Sequence, residues 1–203
     1  MDAIDIIRSE HARIDAVLGC LDRLSADMAR GETVPDLTAF DAILDYMQSF
    51  PERFHHPKES EYLFTAVVAR APELDPVIGR LEGDHDDGEE RLTGLSRSLE
   101  RVRAGEAGAV GDFREDVAGY VAFERDHMRT EEKMILSRAR DVLDAASMQT
   151  LTDAFTGHTD PLFGENRQAR FRTLYSKLLD VIPTPDGFGR PWERKPVPRD
   201  HAA

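Results

Sequence analysis

The sequence has little cysteine, little positive charge and no long hydrophobic run. Cys20 is the one cysteine among 203 residues, which excludes an internal disulfide. Lysine and arginine total 26 against 39 aspartates and glutamates, and the net charge of -13 repels nucleic-acid backbones and anionic membrane surfaces. No stretch approaches the roughly 18 consecutive apolar residues of a membrane span. We therefore expect neither nucleic acid nor a membrane as a partner.

Cysteine usage and the first residues indicate the compartment. The opening MDAIDIIRSE is acidic where a signal peptide would carry positive charge. Together with the single cysteine, this favours a reducing, cytoplasmic setting. The 40% hydrophobic content is sufficient for the core of an ordinary domain.

Apolar residues recur at steps of three and four along most of the chain, which is the spacing of amphipathic helices. The pattern predicts an all-α protein. Four long helical stretches joined by short turns predict an antiparallel up-down-up-down four-helix bundle over residues 1–145. Pro51 and Pro57 predict a kink in the second helix. Residues 146–182 predict a C-terminal helical extension, and the Pro- and Gly-rich residues 183–203 predict an extended or disordered tail.

One histidine replaces an apolar residue on the predicted buried face of each long helix. These residues are His11, His55, His85 and His127. At about 1.5 Å of rise per residue, histidines on successive helices lie at nearly equal distances from the turn that joins them. A single buried histidine is usually a core residue, but four at one depth indicate a common site.

Two carboxylates complete this layer. Glu59 follows His55 by four residues, and Glu131 follows His127 by four, so each pair projects from one helix face. Four imidazoles and two carboxylates make six ligands, which fit two metal ions better than one. This ligand set suits iron, manganese or zinc. It leaves positions open for water, a bridging oxide or hydroxide, or a diatomic gas.

Two alternatives use the same helices differently. Glu52 and Glu124 each precede a candidate histidine by three residues, as in ferritin-like di-iron carboxylate proteins. Because the other two helices offer histidines instead of glutamates, we expect Glu52 and Glu124 to lie outside the ligand set or to face solvent. A structural bundle, in which the buried histidines bond one another, is the second alternative.

Three nearby residues carry weaker expectations. His56 adjoins His55, and neighbours on a helix differ by about 100°, so we expect His56 beside the ligands or at the surface. His158 falls in a turn and is expected to be exposed. Gly88, three residues after His85, either leaves room for a small gas or allows close helix packing.

The motifs resemble those of the hemerythrin family, in its histidine-histidine-glutamate cation-binding branch. They are SEHARI with His11, HHPKESEYLF with His55 and Glu59, GDHDDG with His85, and HMRTEEKMIL with His127 and Glu131. The resemblance covers roughly residues 1–145. It implies a four-helix bundle with a non-haem di-iron centre that binds oxygen, senses oxygen or redox state, handles nitric oxide or peroxide, or supplies iron for iron-sulfur repair. The fifth histidine of oxygen carriers has no counterpart between His11 and His55.

The leading hypothesis is therefore a cytoplasmic di-iron protein that binds, senses or reduces oxygen, peroxide or nitric oxide. The alternative is a metal- or redox-responsive sensor, or an iron-handling module, that does not turn over a substrate. In the sensor form of this alternative, the C-terminal segment responds to the metal and a protein partner reads the change. The sequence does not decide whether the protein is an enzyme.

Overall fold

The computed structural model describes residues 1–31 and 37–163, together with Phe171, Leu174 and Ser176. Every regular element within these residues is helical, and no strand occurs among them. The predicted all-α class is confirmed. The predicted tail, 183–203, lies outside the described residues, as does most of the predicted extension after residue 163.

The helices follow the predicted order, but the second and fourth are composite. The chain begins with α1 (Ala3–Ala29). The second segment comprises α2 (Leu37–Ser49), a π-helical turn (Pro51–His55), α3 (His56–Lys58), another π-helical turn (Glu59–Phe64) and α4 (Thr65–Val68). A short 3-10 helix (Pro72–Leu74) leads into α5 (Asp75–Arg103). The fourth segment comprises α6 (Ala109–Thr130), a π-helical turn (Glu131–Leu136) and α7 (Ser137–Val142), and α8 (Ala145–Thr156) follows.

The interruption predicted at the prolines occurs at Phe50, where φ is -121° and ψ is -66°. The Phe50 carbonyl accepts from the amide of His55 at 3.2 Å, a bond across five residues that defines the first π-helical turn. Proline lacks an amide proton and cannot continue the normal helical ladder. The second helix therefore changes its pitch just before the candidate ligands.

The long helices pack side by side around two hydrophobic clusters. Helix α1 contacts α2, α6 and α8, and α5 contacts α2 and α6. One cluster includes Ile14, Phe40 and Phe113, whereas the other includes Ile7 and Phe155. His11 lies between Ile7 and Ile14 on α1. The candidate site thus forms a polar layer between two apolar clusters.

Helix α8 packs onto the bundle although it follows the four predicted bundle helices. Its Leu151 and Phe155 are each 1% exposed and belong to the cluster that contains Ile7. The Ala3 amide donates to Thr152 Oγ1 at 3.0 Å, which joins the start of α1 to α8. None of the helices in the described part of the chain has the length and apolar character of a membrane span.

Candidate metal centre

The structure brings all six predicted ligand residues into the polar layer. The rings of His11 and His55 have their centroids 5.0 Å apart, and those of His85 and His127 are 4.8 Å apart. Glu59 and Glu131 are fully buried. The ligand atoms of His11, His55, Glu59, His85 and His127 fall into two groups that share Glu59.

The first group contains His11, His55 and Glu59, whose ligand atoms lie within 4.8 Å of one another. Glu59 Oε1 is 2.9 Å from Nε2 of His55 and 3.4 Å from Nε2 of His11. Glu131 Oε2 lies 3.3 Å from the same nitrogen of His11. Two imidazoles and two carboxylates therefore meet on this side of the layer.

The second group contains Glu59, His85, His127 and His56, again with ligand atoms within 4.8 Å. Glu59 Oε2 is 3.6 Å from Nε2 of His85, and that nitrogen is 3.2 Å from Nε2 of His127. The His56 ring stacks on His85 with a centroid distance of 4.3 Å. Glu59 thus directs one oxygen to each group.

His56 is buried, with 5% exposure, so a surface position is excluded. The reason lies in the backbone. Residues of a π-helical turn rotate by less per residue than those of an α-helix, so consecutive side chains diverge less. His55 ends one such turn, and Glu59 begins the next. The rings of His55 and His56 are both buried. The sequence signal for a second buried histidine was the pair His55 and His56 directly before Pro57.

The predicted His-x-x-x-Glu pair of the fourth helix is divided between the groups. His127 belongs to the group with His85, whereas Glu131 approaches His11. Glu131 begins the third π-helical turn, as Glu59 begins the second. The two candidate carboxylate ligands therefore occupy equivalent backbone positions.

Each imidazole also has a polar neighbour at Nδ1, on the outer side of the cluster. Nδ1 of His11 lies 3.1 Å from Glu132, and Nδ1 of His55 lies 2.8 Å from Glu10. Nδ1 of His56 lies 3.4 Å from Glu52, and Nδ1 of His85 lies 3.2 Å from Ser60. Nδ1 of His127 lies 3.6 Å from Asp84. Metal-binding histidines usually have such partners, which fix the ring orientation and the tautomer.

The carboxylates dominate the electrostatics of the first group. Burial alone would lower the pKa of His55, but Glu59 and Glu10 raise it to about 9. Burial would also lower the pKa of His11. Its hydrogen bonds to Glu131, Glu132 and Glu59 outweigh burial and raise the pKa well above its usual value. Burial and the nearby charge of Glu59 raise the pKa of Glu131 to about 7. Without metal, this group therefore holds protons.

The second group has the opposite character. Burial lowers the pKa of His127 to about 2, and the neighbouring His56 contributes to the shift. Burial also places the pKa of His56 well below its usual value. Both imidazoles are consequently neutral at physiological pH, which is the form that binds metals.

Several buried atoms of the layer lack the partners that burial normally requires. Among the described residues, neither oxygen of Glu131, nor Glu59 Oε2, nor His127 Nδ1 makes a well-directed hydrogen bond. Unpaired buried carboxylate oxygens are costly, and a bound cation would compensate them. The donor set and its unpaired atoms therefore fit a metal.

Glu52 and Glu124 do not face solvent, contrary to one of the expectations for them. Glu124 is 1% exposed, the Glu52 side chain is 7% exposed, and neither belongs to a ligand group. Burial raises their pKa values, to about 7 for Glu52 and about 8 for Glu124. A Cβ at Gly88 would lie 3.2 Å from Glu124 Oε1 and 3.6 Å from Glu52 Oε1. The side chains of Glu52 and Glu124 thus pack against Gly88, which favours the close-packing explanation.

The expectation that His158 is exposed was wrong. Its side chain is only 6% exposed, and Nε2 lies 3.1 Å from Glu10 Oε1. The turn residues around it indicated a loop correctly. No local pattern could reveal a partner at the opposite end of the sequence.

The described residues form only helices and bury histidine and glutamate ligand groups, which are features of a cation-binding protein. The family model for the hemerythrin HHE cation-binding domain matches residues 2–139. The chain belongs to this family, and the predicted resemblance is confirmed. No curated protein and no solved structure matches it.

Proposed function

We propose that this protein is a non-haem di-iron protein that binds, senses or reduces a small oxidant: oxygen, peroxide or nitric oxide. The observation that carries the proposal is the position of Glu59, whose two oxygens face two different groups of ligand atoms. A buried carboxylate in that position suits a pair of cations. Membership of a cation-binding family supports the same conclusion.

In this proposal, His11, His55, Glu59 and Glu131 would hold one iron, and Glu59, His56, His85 and His127 would hold the other. His56 is an addition to the six ligands predicted from the sequence. Nitrogen and oxygen donors of this kind also accept manganese or zinc. Two irons, when bound, would supply the one-electron chemistry needed to bind or reduce the oxidant.

The chain itself contributes binding, orientation and the exclusion of water. The neighbours at Nδ1 of His11, His55, His56 and His85 orient those imidazoles, and the carboxylates balance the charge of the cations. The hydrophobic clusters on both sides of the layer limit access of bulk water. Small uncharged molecules such as oxygen and nitric oxide can cross such packing more readily than ions.

We also propose that the four long helical segments form the antiparallel up-down-up-down bundle predicted above. The ion pairs between α1 and the α6–α7 segment join Asp5 to Arg140, Asp15 to Arg125 and Asp22 to Arg114. The residue numbers of the α6–α7 partners fall as those of the α1 residues rise, which supports an antiparallel arrangement of these two segments. The family match ends at residue 139 and supports a division at about residue 145. The low cysteine content supports a cytoplasmic location.

Reconstitution tests the function. The protein is loaded with ferrous iron without air, freed of unbound metal, and then exposed separately to oxygen, peroxide and nitric oxide. We expect about two irons per chain and new near-ultraviolet and visible absorption bands with at least one oxidant. A protein that retains no iron, or whose spectrum does not respond, would contradict the proposal.

The ferritin-like alternative is tested by comparing Glu59→Ala with Glu52→Ala. We expect the larger loss of iron in Glu59→Ala, because Glu52 approaches the layer at the outer nitrogen of His56. A larger loss in Glu52→Ala would favour the carboxylate-rich ligand set.

The sensor function is a second candidate because a polar contact links the layer to the turn after α8. Glu10 touches both His55 and His158. Limited proteolysis of residues 146–203 in the reduced and oxidised protein separates the two candidates. A sensor should show different cleavage rates, whereas equal rates would leave only the oxidant-binding role.

A further inference from the structure

A continuous line of polar contacts runs from the candidate ligand His55 to the turn after α8. His55 Nδ1 lies 2.8 Å from Glu10 Oε2, and Glu10 Oε1 lies 3.1 Å from His158 Nε2. His158 Nδ1 is 2.5 Å from Lys58 Nζ, which also donates to the Ala154 carbonyl at 2.7 Å. Four side chains are thus connected in series.

The chemistry of these groups indicates which nitrogen of each imidazole carries a proton. The Lys58 ammonium has only donors, so His158 Nδ1 must accept from it and the imidazole proton must reside on Nε2. The protonated Nε2 then faces Glu10 Oε1 at 3.1 Å, an electrostatic contact. The other oxygen of Glu10 accepts from Nδ1–H of His55, so Nε2 of His55 faces Glu59 and, once its proton is released, presents a lone pair there. That lone pair is the one a metal requires.

Aromatic rings enclose His158. Phe54 stacks on it with centroids 6.0 Å apart and planes 9° apart, and the ring centroids of Phe50 and Phe155 lie at 5.5 and 6.3 Å. These rings restrict rotation of the imidazole. A histidine enclosed in this manner belongs to the architecture of the layer, although it lies beyond the matched residues 2–139.

Resting on the metal centre proposed above, we infer that His158 is a positioning residue that acts through Glu10 to hold His55 in its metal-binding orientation and tautomer. The first iron position then depends on a residue outside the family domain. Loss of such an outer partner typically costs 10- to 100-fold in metal affinity.

The test uses the full chain and three variants: His158→Ala, His158→Gln and Thr159→Ala. Glutamine can accept from Lys58 and donate to Glu10, so it should substitute for the imidazole. Thr159 is the exposed neighbour and serves as the matched control. Two quantities are measured: the imidazole nitrogen and Nδ1–H resonances of His55 in metal-free protein, and the rate of ferrous iron loss to a chelator.

We expect His158→Ala to shift or broaden the Nδ1–H resonance of His55 and to accelerate iron loss by about 10-fold or more. His158→Gln should restore most of both properties, and Thr159→Ala should change neither. Should His158→Ala not fold, Lys58→Met removes the donor that fixes the tautomer and should perturb the same resonance.

An unchanged His55 resonance in the folded variants would overturn the inference. So would equal changes in the alanine and glutamine variants, because they would indicate a loss of packing only. The resonance is measured without metal, so it decides this question even if the wild-type protein fails to bind iron. Failure to bind iron would count against the proposed function alone.

Discussion

Glu59 is the residue on which both candidate metal positions depend. A carboxylate is the only ligand type in this layer that can offer two equivalent donor atoms in two directions. Glu59 has its oxygens 2.9 Å from His55 and 3.6 Å from His85. Burial would raise its pKa, but the neighbouring His55 and His11 bring it well below the usual value, so it is charged and ready to bind cations.

Removal of Glu59 should therefore affect both positions, whereas removal of Glu131 should affect one. We expect Glu59→Ala to retain less than one iron per chain and Glu131→Ala to retain about one. Metal analysis after dialysis gives the stoichiometry. Glu61→Ala, an exposed carboxylate on the same π-helical turn, is the matched control and should bind as the wild type does. Equal stoichiometry in the Glu59 and Glu131 variants would contradict a shared ligand.

The sequence predicted some of these residues and missed others for identifiable reasons. His11, His55, His85 and His127 interrupt apolar stripes, and a constant rise per residue relates their depths. The surface position allowed for His56 was wrong because the 100° rule assumes a regular α-helix. His158 was missed because its partner, Glu10, is distant in sequence. That these residues bind metal stays a prediction.

At the scale of elements, the π-helical turns determine where the carboxylates point. Glu59 and Glu131 each begin one, and an inserted residue of this kind is frequent at functional sites. Such turns could not be foreseen, because their hydrogen bonds change while the apolar spacing remains nearly helical. The all-α class was predictable for the same reason, since the spacing survives these local changes.

Helix α5 offers a test of the close packing at Gly88. A Cβ there would press on Glu124, whereas one at Gly83 meets nothing within 4 Å. Alanine is favoured over glycine in helices by about 1 kcal/mol. We expect Gly83→Ala to raise the free energy of unfolding by up to about 1 kcal/mol and Gly88→Ala to lower it by about 1–3 kcal/mol. Urea titration measures both, and equal stabilisation would refute the packing argument.

Helix α8 should contribute to stability as a member of the core. Phe155 is 1% exposed and lies in the same cluster as Ile7 of α1. We expect Phe155→Ala to lower the free energy of unfolding by about 3–5 kcal/mol. Gln149→Ala, at an exposed position of the same helix, should change it by less than about 0.5 kcal/mol. Similar effects of the two substitutions would show that α8 docks only loosely.

At the scale of the whole molecule, the metal-free protein should lose stability as the pH rises from about 6.5 to 9. His55 has its pKa raised from 6.5 to about 9, mainly by Glu59 and Glu10 against the effect of burial. Its stabilising contribution is complete below the unfolded pKa and is lost as pH rises through the folded one. Glu124, with a pKa near 8 caused by burial, contributes in the same direction.

Thermal denaturation across this pH range checks the expectation. The midpoint of metal-free protein should fall steadily between pH 6.5 and 9. Bound metal should reduce or reverse the trend, because it replaces the protons on the imidazoles. A metal-free midpoint that rises with pH would contradict the assigned direction.

The polar layer between two hydrophobic clusters has a consequence for cooperativity. Without a cation, the layer concentrates unpaired carboxylate and imidazole atoms where a continuous core would join the two halves. The halves should then open as separate cooperative units, and native-state hydrogen exchange should show two groups of amides with different opening free energies. Metal binding should merge these groups into one, because the cation would couple the two halves into a single cooperative folding unit.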